Sequence, residues 1–146
     1  MSKGSSGLFH GTSGSRASAS EKRRQALETV KQLIAETPGG KNKSMAAGAY
    51  DLKTGKNVAA FAGESPKRIH PELRKRAEAI GGIGTHGLTS RNTVGVCAEF
   101  HVVNSLLLSG CKWSDIRLTP AIRPRTGKTM TYCDNCLAMF SDLIGD

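Results

Sequence analysis

A chain of 146 residues has room for one compact domain and not for two ordinary ones. With 38% hydrophobic and 23% charged residues it needs no disulfide framework, and no apolar run approaches the roughly 18 residues of a membrane span. Twenty-one Lys and Arg against twelve Asp and Glu leave a net charge of +9, a field that attracts polyanions such as nucleic acid.

The first seventeen residues are rich in Gly and Ser and read as a flexible tail or linker, polar at Met1–Gly7 and without a secretory signal's apolar stretch. The folded domain is expected over 18–146. Ser18 and Glu21 make a capping-box pattern, Leu27, Val30 and Ile34 follow at helical spacing, and Pro38-Gly39-Gly40 stops that helix. Met45–Tyr50 and Asn57–Phe61, with Gly55 in a polar connector between them, predict a β-hairpin. Pro71 starts a basic helix that ends before Gly81. Cys97 to Ser109 is apolar almost all round, so it predicts a helix buried on most sides and ended by Gly110. Ile116 to Ile122 reads as a strand broken or ended by Pro120. A last helix begins near Cys133, with Leu137, Phe140 and Ile144 expected on its buried side.

Two glycine motifs fail on context. Gly82-Ile83-Gly84-Thr85-His86-Gly87 fits G-x-G-x-x-G, but a helix rather than a strand precedes it, so it reads as a loop. Gly127-Lys128-Thr129 imitates the end of a phosphate-binding loop, yet Ile122 stands where its first glycine belongs.

The cysteines carry the chemistry. Cys97-Ala98-Glu99 opens one predicted helix and Cys133-Asp134-Asn135-Cys136 opens another. Cysteines three apart in a first helical turn share a face and can grip one ion, and helix N-termini favour thiolate. Three thiolates give zinc three protein ligands and leave a fourth position open, the arrangement of a catalytic site. Glu99, two residues from a ligand, is placed to shuttle protons. One alternative is a closed site in which His101, four residues after Cys97, is a fourth ligand; that would make a binding module and leave Glu99 idle. A thioredoxin-like redox pair is another, but it leaves Cys97 unexplained.

C-x-E followed by C-x-x-C resembles the signature of the zinc-dependent cytidine deaminase superfamily, and the order of elements over roughly residues 20–145 is similar. The stretch from Cys97 to Asn104, with Cys133-Asp134-Asn135-Cys136, looks most like the YwqJ-like bacterial toxin deaminases. The resemblance implies an α/β fold, a cytidine deaminase-like sheet flanked by helices, with zinc at the N-termini of two helices. It implies Cys97, Cys133 and Cys136 as zinc ligands and Glu99 as the proton shuttle. Tyr132 stands where the superfamily usually has proline. Cys136 is followed by only ten residues, so a reduced C-terminal part of the sheet is expected.

The resemblance further implies a polar side chain ahead of the C-x-E helix that holds the base. His86, Thr89 and Asn92 occupy that region, with Asn92 preferred, and Tyr132 is placed to stack on a flipped base. Lys67, Arg68, Arg74, Lys75, Arg76 and Arg91 before the site, and Arg123 and Arg125 before Tyr132, are candidates to track phosphates. The expectation is therefore hydrolytic deamination of cytosine to uracil within nucleic acid, DNA before RNA, by a monomer with no membrane partner. As the tip of a larger secreted or delivered toxin, the domain would act in the target-cell cytoplasm and have a cognate immunity protein. A free nucleoside deaminase is the enzymatic alternative, although it has little use for +9.

Overall fold

The computed structural model describes residues 8–88 and 92–144. Its first helix, α1 (Ala19–Glu36), starts where the capping box predicts: Ser18 Oγ accepts the Glu21 backbone N–H at 3.1 Å. The helix ends at Thr37, before Pro38. The hairpin follows as β2 (Ala46–Asp51) and β3 (Lys56–Phe61), paired antiparallel with Ala46 opposite Phe61. Alanines look unlike strand residues, but here they allow helices to approach both faces of the sheet.

The Gly/Ser-rich segment differs from its reading as a tail. Phe9–Thr12 form an edge strand, β1, antiparallel to β3 with Phe9 opposite Ala59. Phe9 packs against the buried face of α1. Gly11 is needed beside it, because a Cβ there would lie 2.7 Å from Asn57 Oδ1 and 2.8 Å from Thr29 Oγ1. Those two atoms form a buried hydrogen bond of 2.7 Å that links β3 to α1. Farther on, Ser13 N–H donates to the Gly55 carbonyl, and the buried Lys22 ammonium donates to Ser15 O.

On the other side of β2, the strand predicted over Ile116–Ile122 is split into β4 (Ile116–Leu118) and β5 (Ala121–Ile122), which both pair with β2. At the break Pro120 has no N–H to offer, and Thr119 makes the join: its N–H donates to Gly48 O while its hydroxyl accepts from Gly48 N, both at 2.9 Å. A further strand, β6 (Thr129–Met130), pairs with β5. The result is a six-stranded antiparallel sheet in the order β1-β3-β2-β5-β6, with β4 also on β2. Two of its strands, β1 and β6, come from segments not predicted to be extended, and among the described residues no strand follows Cys136.

Helix α1 covers one face of this sheet. The other face carries α2 (Pro71–Glu78), α3 (Ala98–Leu108) and α4 (Asp134–Phe140), whose Leu73, Phe100, Val103 and Phe140 meet in the main core. Leu137 was expected to be buried and is 44% exposed. The inward face of α4 runs instead through Cys136, Met139 and Phe140 and on to Leu143. Among the described residues no helix is long and apolar enough to cross a membrane.

Candidate metal centre

Two chain segments far apart in sequence converge at one end of the helical layer. Cys97 is the N-cap of α3 and Cys133 the N-cap of α4, and Cys136 follows in the first turn of α4. The three Sγ atoms lie within 4.8 Å of one another, with Cys97 and Cys133 at 3.8 Å. That spacing is far too long for a disulfide of about 2.05 Å. It matches the sulfur–sulfur edge of a tetrahedral centre with Zn–S near 2.3 Å, roughly 3.8 Å. The donor set therefore fits a thiophilic metal ion.

Electrostatics agree with the geometry. Hydrogen bonds from the Cys136 and Cys97 thiols, then the backbone N–H groups of Cys136 and Asn135, hold Cys133 well below the ordinary thiol value. Cys97 and Cys136 are pushed up, first by donating to Cys133; donation to Cys97 adds to the rise at Cys136, and burial raises both. A dication is what would offset the charge of all three thiolates.

Glu99 is the second residue of α3, only 5% exposed, and burial raises its carboxyl above the usual range, with Cys133 adding to the rise. Tyr132 stands beside the cluster. Its ring is half-buried against the main core and its hydroxyl donates to Thr119 O at 2.9 Å. Burial pushes that phenol up to about 12, with the Glu99 charge next in effect. Cys97, Glu99, Tyr132, Cys133 and Cys136 are accordingly brought together.

His101 is not. Among the described residues the metal-binding group consists of the three sulfurs, and His101 Nε2 pairs with Gly63 O at 3.2 Å. Burial lowers its pKa, so the neutral ring is favoured. His101→Ala is expected to keep the metal stoichiometry of the parent protein, as read by metal analysis of the purified variant. Loss of the metal with the imidazole would make His101 a ligand after all.

The remaining candidates lie farther out. His86 is exposed, its Nδ1 3.2 Å from Asn92 O, and Asn92 is half-buried. Thr89 and Arg91 lie outside the described residues. Arg123 and Arg125 are exposed on the turn between β5 and β6, closed by Arg123 N–H to Lys128 O at 2.9 Å. The second strand of that hairpin leads directly to Tyr132 and Cys133. Arg76 departs from its reading as a phosphate contact. Its guanidinium stacks 3.8 Å from the Trp113 ring and bonds to Met139 O and Asp142, tying α2 to the end of α4. Asn135, between the two cysteines, matches no motif position in the sequence and is fully buried in contact with the His86–Leu88 loop. Its place inside the C-x-x-C was the one available signal.

Compared with protein-family models, curated proteins and solved structures, the chain finds no match in any of the three.

Proposed function

We propose that this domain is a zinc-dependent deaminase that converts cytosine to uracil in nucleic acid, with DNA preferred to RNA, and that it serves as a toxin effector. The observation that carries the reading is the buried Glu99 carboxyl at the start of the helix that presents Cys97 to Cys133 and Cys136. A structural metal site has no use for a buried acid at that position, whereas hydrolysis of an amidine needs one. The order of helix, hairpin, C-x-E helix, strand and C-x-x-C helix supports the same reading.

Cys97, Cys133 and Cys136 would hold the zinc, which when bound supplies the Lewis acidity that makes water nucleophilic near neutral pH. Glu99 takes a proton from the attacking water and delivers it to ring N3, then passes a proton to the departing amino group. One water is consumed and one ammonia leaves for each cytosine converted. Tyr132, anchored through its hydroxyl, offers a half-buried ring beside the cluster for the base to rest on. Arg123, Arg125 and Lys128 offer exposed charge on the adjoining hairpin for the phosphates.

The test offers matched single-stranded DNA, duplex DNA, RNA and free cytidine to the zinc-loaded protein and scores uracil or uridine in each. Conversion of the polymers, DNA above RNA, is expected. With three phosphate contacts, subsaturating turnover of the polymer should fall roughly twenty- to fortyfold between about 50 and 200 mM salt, while free cytidine is unaffected. Equal salt responses would remove the basic surface from the substrate track, and no conversion of any substrate would end the deaminase reading.

A further inference from the structure

We propose that Asn135 is a positioning residue that couples the metal centre to the His86–Leu88 loop, so that filling the centre orders the loop. The effect on substrate rests on the deaminase reading above.

Asn135 sits between Cys133 and Cys136 and is 0% exposed. Both ends of its amide are used. Oδ1 accepts the Leu88 backbone N–H at 2.8 Å, and Nδ2 donates to the His86 carbonyl at 3.0 Å. A buried carboxamide bonded at both ends to the backbone of a loop dictates where that loop lies, because releasing it strands two polar groups on each side. Gly87, between the two bonded residues, closes the contact from the loop side. Its φ is +61°, and a Cβ there would collide with Asn135 Oδ1 and lie 2.8 Å from Val94 Cγ2.

The coupling follows from chain connectivity. A metal held by Cys133 and Cys136 immobilises the turn between them, and Asn135 has no separate backbone freedom within that turn. The loop inherits the order through two hydrogen bonds. A second buried carboxamide provides the contrast: Asn104 accepts the His70 N–H and donates to Arg68 O, a similar clamp that lies outside the C-x-x-C turn. His86 and, through its ring, the backbone of Asn92 belong to the clamped side, the region expected from the sequence resemblance to hold the base. Loosening it should weaken substrate binding more than turnover.

Amide hydrogen exchange on the full chain, zinc-loaded and chelator-stripped, reads the coupling directly. In the parent protein zinc should slow exchange of the Leu88 amide by about tenfold or more, and leave Arg68–His70 unchanged. Asn135→Ala should bind one zinc and lose that dependence. With a cytosine substrate, Asn135→Ala should raise KM about tenfold and leave kcat within about threefold. If Asn135→Ala does not fold, Gly87→Ala opens the same clamp from the loop and should also abolish the zinc dependence. Leu88 exchange indifferent to zinc in the parent protein, or still zinc-dependent in the folded clamp variants, would overturn the proposal. A parent protein without turnover would defeat the deaminase reading alone, since the exchange comparison still decides the coupling.

Discussion

Glu99→Ala is expected to keep one zinc and the wild-type thermal unfolding profile while losing at least 10²- to 10⁴-fold in turnover, the usual scale of general acid–base loss. Among the described residues the buried acids are Asp51 and Glu99, and Asp51 is committed to Thr54 in the β2–β3 turn. Among the described residues no second buried carboxyl is placed to take over. Burial disfavours the charged form of Glu99, so deleting it removes a cost to folding as well as any contacts it makes. Stability and activity should therefore separate, which is the signature of a group retained for chemistry. The measurement is uracil formed per unit time alongside metal content. A Glu99→Ala protein that works at the wild-type rate would leave the three-cysteine centre without a catalytic role.

Cys133→Ser is expected to bring zinc from one per chain to near zero. Cys133 is one of three sulfurs that converge within 4.8 Å, and a hydroxyl in its place supplies no thiolate. The two remaining sulfurs leave the ion under-coordinated. Stability should follow the metal. At free zinc one hundred times its dissociation constant, binding stabilises the folded chain by about 2.7 kcal/mol, or roughly 5–10 °C in a domain of this size. Chelation should lower the melting temperature of the parent protein by that amount and leave Cys133→Ser unmoved. Retained zinc in the variant, or a melt of the parent protein indifferent to chelator, would contradict the assignment.

Much of this was legible because local chemistry and tertiary packing agree. The Ser18 cap, the Gly55 hairpin, Pro71 at the start of α2, and cysteines opening α3 and α4 are all short-range signals. The misreadings arise where a packing or pairing partner, near or distant in sequence, decides the outcome. Composition around Phe9–Thr12 suggests a linker, yet the glycine that looks permissive is required by the Thr29–Asn57 bond. Strand β6 is two residues long and acquires its pairing only from β5. Leu137 competes with Cys136 for the inward face of α4; treating the cysteine solely as a ligand hid its place in the run through Met139, Phe140 and Leu143. Arg76 reads as surface charge until Trp113 is seen beneath it. Asn135 gave no periodicity at all, because what it satisfies is loop backbone 47 and 49 residues away.

Strand β1 also governs where this chain tolerates cutting. Shortened to begin at Ser18, the protein would lose the partner of Lys56–Ala59 and bare the outer rim of β3, a row of unsatisfied amides and carbonyls beside apolar surface vacated by Phe9. Such a rim recruits any strand that fits it, and the most abundant one in a purified sample belongs to another copy of the same molecule. Dimers or aggregates of a trimmed chain would then report the missing strand, and say nothing of how the intact protein assembles.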